Sequence, residues 1–199
     1  MNINNVTENI EVPDTFEGIW KSIFAKQTEL LEKYKEIEKM PDNILELDNI
    51  NTQRGQILIK DFAWRVTEEL AEAWEAKEIN EEHFKEELAD ALHFLVELTI
   101  IAGYNSTFLV NPEGALIADK DTEAWAIVYN LGLMCNTLKN KPWKQSQMLT
   151  DEPKFKEYLQ KAWLALLKLL YWYMGSYNQI YLYYFKKHKV NEFRVRSKY

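Results

Sequence analysis

A chain of 199 residues, 47% of them hydrophobic, has the size and apolar content of one compact domain with a core of its own. Its 6 glycines and 5 prolines are too few turn formers for a protein of many short strands, and its single cysteine, Cys135, excludes an intrachain disulfide framework and suits a reducing cytoplasm. The net charge of −7 argues against general nucleic-acid binding, and the polar, acidic start MNINNVTENIEVPD lacks the basic and apolar regions of a signal peptide.

Helical periodicity runs through nearly every segment. Residues Phe16–Lys39 predict a first amphipathic helix, ended by Pro41, and Thr52–Lys77 predict a second. Asn80 is an N-cap for a third helix over Glu81–Ala102, which Gly103 stops. Tyr104–Asp121, with its Asn-Pro and Glu-Gly turn signals, reads as a loop. A fourth helix, Thr122–Leu138, precedes the loop KNKPWKQSQ. A fifth follows Pro153, and Gly175-Ser176 divides it from a sixth. No segment alternates convincingly as a strand, so the expected fold is all-α, an antiparallel helical bundle of five or six helices forming a single domain over residues 1–199.

The most apolar stretch, Ala162–Phe185, is interrupted by Lys168, Gly175, Ser176, Asn178 and Gln179, so it lacks the roughly 18 unbroken apolar residues of a membrane span. It reads as core or subunit interface. Beyond it the charge reverses. Between Lys186 and Lys198 six basic residues meet only Glu192, a local charge of +5 that leaves −12 for the remainder. A small basic arm of that kind is the right size to hold a polyphosphate.

The phrase EELAEA at Glu68–Ala73 returns as EELADA at Glu86–Ala91. On a helical wheel Val66, Leu70, Ala73 and Trp74 form a packed face with Glu69 and Glu72 on its flank. The third helix repeats this, with Glu87 and Asp90 flanking Phe84, Leu88, Ala91, Leu92 and Leu95. In one unbroken helix the two phrases would stand about 27 Å apart. A break near Lys77–Asn80 folds the helices back and brings four carboxylates together. The spacing alone leaves two readings open: a solvated acidic face, since ten acids lie between Glu68 and Asp90, or hard oxygen ligands for Mg²⁺ or Mn²⁺.

EELAE (Glu68–Glu72), followed after fourteen residues by ELAD (Glu87–Asp90), resembles the EExxE…ExxD signature of the all-α nucleoside triphosphate pyrophosphatases, which include MazG-like enzymes and the dimeric dUTPases. The continuation ELADALHF and the closing YYFKKHKVNEFRVRSKY are similar to motifs of the dUTPase/dCTPase branch. The resemblance covers Phe16–Ala102 and the last seventeen residues, and departs from the pattern at Leu30, His188 and Lys198. It implies metal ligation by Glu69, Glu72, Glu87 and Asp90, with Glu68 as an added ligand or the base that orients water. It implies phosphate binding by Lys187 and Arg194, nucleoside contacts from Gln27 and Asn191, a base stacked on Phe94, and a closing Tyr199.

The implied reaction is hydrolysis of dUTP to dUMP and pyrophosphate with two or three Mg²⁺ ions, in a homodimer whose basic arm, residues 186–199, closes over the active site. dCTP or a modified nucleotide is the alternative substrate, and a catalytically silent helical partner the alternative class. His93 lies round the wheel from Glu87 and reads as a supporting histidine; His83 and His188 read as having no acidic partner at ligand spacing. Trp143 and Lys144 would either reach over a nucleotide or form a packed turn.

Overall fold

Polar side chains begin each of the first five helices. In the computed structural model, which describes residues 10–112 and 119–197, Thr15, Thr52, Asn80, Asp119 and Asp151 accept hydrogen bonds from N–H groups that a helix start leaves unpaired. The helices they start are α1 (Phe16–Tyr34), α2 (Gln53–Ala76), α3 (Glu81–Ile101), α4 (Lys120–Thr137) and α5 (Glu152–Met174), followed by α6 (Tyr177–Ser197). A 3-10 turn, Ser106–Phe108, interrupts the connection to α4, and the described residues contain no strand. The all-α expectation holds.

Two boundaries differ from the periodic pattern. α1 stops at Tyr34 rather than Lys39, because Met40 N–H bonds back to the Lys35 carbonyl and Lys39 takes a left-handed φ of 53°. That turn buries Met40 and Ile44, which a continued helix would carry away from the core. α4 begins two residues before Thr122, since Asp119 caps it. After α3 and α5 the chain reverses at Gly103 and Gly175, with φ of 87° and 82° that residues with a Cβ rarely adopt.

α2 and α3 form an antiparallel hairpin: Trp74 meets Phe84 near its turn, and Phe62 meets Phe94 at the far end. α4 and α5 form a second, with Glu123 at the start of α4 paired at 3.2 Å with Lys168 near the end of α5. α6 lies against α1 and α3, bonded to α1 through Ser22 and Tyr181. The leucines of Ala162–Phe185 go mainly into the chain's own core, leaving Tyr171 and Trp172 exposed. Among the described residues no helix is long and apolar enough to cross a membrane.

Candidate active site

The N-cap at Asn80 makes the site possible. Its Oδ1 accepts from the Glu82 and His83 backbone N–H groups, so α3 starts immediately after the turn and runs back along α2. The two acidic phrases then face each other, and carboxylate oxygens of Glu69, Glu87 and Asp90 lie within 4.8 Å of one another. Such crowding disfavours three negative charges. Burial pushes Glu69 up to about 8, helped by Asp90 and Glu87, and burial holds Asp90 at about 6 despite a Lys187 ammonium 2.5 Å away. Burial works against the charge of Lys187 too, but Asp90, Glu87 and Glu86 together outweigh it and hold the lysine above its ordinary value.

The chemistry of this donor set fits a hard divalent cation: three oxygen donors converge, and a cation would relieve their repulsion. Glu72 and Glu68 stand outside the group. Glu72 is exposed, and Glu68 is exposed with its Oε1 accepting from the Trp64 indole at 2.8 Å. The reading of His83 needs correction: it sits one helical turn before Glu87, its Nδ1 3.1 Å from Glu87 Oε1, so it has the acidic neighbour that spacing counted from the repeated phrases overlooked.

From the carboxylates a cleft of about 180 Å³ runs between α1, α2, α3 and α6. It gathers six of the expected residues: Gln27, Glu69, Asp90, Phe94, Asn191 and Arg194. Glu87 and Lys187 adjoin it through the carboxylate group and Asp90. Asp90, Phe94 and Glu97 share one face of α3 at i, i+4 and i+7, which carries the site about 10 Å from the carboxylates to its inner end. Phe94 packs edge-on against Phe62, with the Arg65 guanidinium 5.6 Å from its ring centre. Tyr199 lies outside the described residues. Trp143 is exposed and is not among the residues lining the cleft.

Gln27 is held at both ends: Nε2 donates to Glu97 Oε1 at 2.9 Å, and Oε1 accepts from the Tyr184 hydroxyl. His93 is stacked on Tyr184 at 4.0 Å, its Nδ1 2.8 Å from the Ala89 carbonyl, and burial lowers it to about 3. Four lining residues escaped the sequence reading: Tyr34, Glu38, Arg65 and Glu97. Arg65 forms a two-pronged pair with Glu38 at 2.8 and 2.9 Å. Glu97 is 6% exposed, and burial pushes it up to about 8. The signal for it was there: the only acid in the mostly apolar run LHFLVELTII, two turns past Asp90 on the same face.

Among the described residues, an all-helical fold sets converging carboxylates and helix-borne cations around an elongated cleft, the groups a hydrolase acting on a phosphoanhydride substrate needs. The family comparison makes this particular: a model of the dUTPase family matches residues 19–199, and the chain is a member of that family. It is therefore a nucleoside triphosphate diphosphatase with a nucleotide substrate. No curated protein and no solved structure matched the chain.

Proposed function

We propose that the protein hydrolyses dUTP to dUMP and pyrophosphate, with Mg²⁺ held by Glu69, Glu87 and Asp90. The observation that supports this reading most is the convergence of those carboxylates at the mouth of a cleft whose other wall is aromatic and polar. A divalent ion bound there supplies charge neutralisation for the triphosphate and makes water more acidic. Glu72 and Glu68, on the adjoining turn of α2, add a fourth carboxylate and the base that takes the proton from the attacking water. Lys187 and Arg194 on α6 neutralise phosphate oxygens as the phosphorus–oxygen bond to the leaving pyrophosphate breaks. Lys187 exchanges Asp90 for phosphate when nucleotide enters, and the basic residues from 186 onward close that side of the cleft.

Phe94 stacks on the base, and Asn191 meets the sugar side. The enzyme works as a homodimer in the cytoplasm. The exposed rings of Trp125, Tyr129, Tyr171 and Trp172 along the α4–α5 hairpin support a helix-face contact between copies. Pyrophosphate release measured with each deoxynucleoside triphosphate, with and without Mg²⁺, tests the reading. Release that is greatest with dUTP and absent without the metal is the expected result. Failure to release pyrophosphate from any of them refutes it, and a preference for dCTP transfers the reading to that substrate.

A further inference from the structure

The inner end of the cleft carries a directional chain of hydrogen bonds. Tyr184 donates to Gln27 Oε1, and the amide so oriented donates from Nε2 to Glu97 Oε1. Gln27, Tyr184 and Glu97 are all buried, and although the Tyr184 hydroxyl also lies 3.4 Å from the Ile23 carbonyl, its closer acceptor is Gln27 Oε1, which sets the direction of the chain. Because Glu97 Oε1 already accepts from Gln27, the place left for a carboxyl proton is Oε2. Glu97 therefore offers an O–H donor beside an acceptor oxygen that retains one lone pair.

We propose that Glu97, its polarity set by Gln27 and Tyr184, reads the base by pairing with an edge that carries a carbonyl oxygen next to a ring N–H. Uracil has that edge at O4 and N3–H. Cytosine presents the reverse, an amino donor beside an acceptor nitrogen, and meets donor with donor. The proposal rests on the nucleotide-hydrolase reading and names the residue that separates the two candidate bases. The distance agrees: Glu97 lies about 10 Å along α3 from Asp90, far enough for a sugar and a base stacked on Phe94 to fit between them.

The raised value of Glu97, about 8, keeps the acid neutral at physiological pH. Burial is its first cause, and Glu38 adds to it while Gln27 and Arg65 oppose it. The other charged or titratable groups lining this space are Tyr34 from α1, Glu69 from α2, Asp90 and His93 from α3 itself, and Arg194 from α6, with Tyr184 behind Gln27.

Calorimetric binding of dUMP and dCMP in magnesium buffer, with tripolyphosphate as a base-free standard, tests the proposal without turnover. Wild type is expected to favour dUMP at least 100-fold at pH 7. Glu97→Gln, whose amide keeps a donor beside an acceptor, keeps that preference, and keeps it at pH 9, where ionisation weakens wild-type binding. Glu97→Leu loses the preference to within about tenfold, because an unpaired base edge costs more than a missing contact. Equal wild-type affinity for the two monophosphates, no binding of either, or an unchanged ratio in Glu97→Leu overturns the proposal. Selective dUMP binding by a protein that hydrolyses no triphosphate would instead sink the hydrolase reading and leave this one standing.

Discussion

Glu97 also makes a prediction about stability. In the unfolded chain its carboxyl group ionises at its ordinary value of 4.5, whereas in the folded chain burial holds the proton on until about pH 8. Between those values the folded state binds a proton that the unfolded state has released, so its stability falls as pH rises. The contribution is full below pH 4.5, declines through neutral pH and is gone above pH 8. Each pH unit separating the two ionisations is worth about 1.4 kcal/mol, which makes the whole effect about 5 kcal/mol and the part between pH 5.5 and 8.5 about 3 kcal/mol. Glu97→Gln removes the titration and keeps the amide-sized side chain that Gln27 bonds. Urea unfolding of both proteins at the two pH values isolates the effect, since every other titrating group is common to them. The stability of the variant relative to wild type should rise by about 3 kcal/mol from pH 5.5 to 8.5. A difference that stays constant within about 1 kcal/mol refutes the reasoning, because the group would then titrate alike folded and unfolded.

Four further outcomes follow from the site and the fold. Glu87→Gln combined with Asp90→Asn should lower turnover at least 100-fold and abolish Mn²⁺ binding followed by electron paramagnetic resonance; full activity would remove the metal site from these residues. Lys187→Met leaves Asp90 buried without its partner, so its melting temperature should fall in metal-free buffer and recover most of the loss when Mg²⁺ is added. Asn80→Ala should cost about 1 kcal/mol, a drop of about 2–4 °C in melting temperature, by uncapping α3. Sedimentation at micromolar concentration should show a dimer, and a monomer would contradict the contact assigned to the α4–α5 hairpin.

The sequence by itself determined the local features. Helix starts were legible because one polar side chain satisfies N–H groups two or three residues away, as Asn80 does for Glu82 and His83. From that cap and the wheel, the convergence of the two acidic phrases followed, since a hairpin of two long helices has few ways to fold. The wheel could not rank the acids within each phrase. Glu69 and Glu72 sit on one flank of α2, yet only Glu69 joins the group with Glu87 and Asp90. That choice depends on how far the hairpin is rotated, which the packing of Trp74 on Phe84 and Phe62 on Phe94 sets.

Tertiary structure alone decided what lies opposite the carboxylates and at the end of the cleft. Lys187 reaches Asp90 only because α6 lies against α3, and Gln27 reaches Glu97 and Tyr184 across 70 and 157 residues of chain. A lone Glu in an apolar run looks like an interruption of a core helix when read along the sequence. Only the fold makes it a buried acid with a raised proton affinity, because burial comes first and Glu38 adds to it, and only the fold brings the Gln27 amide onto one of its oxygens.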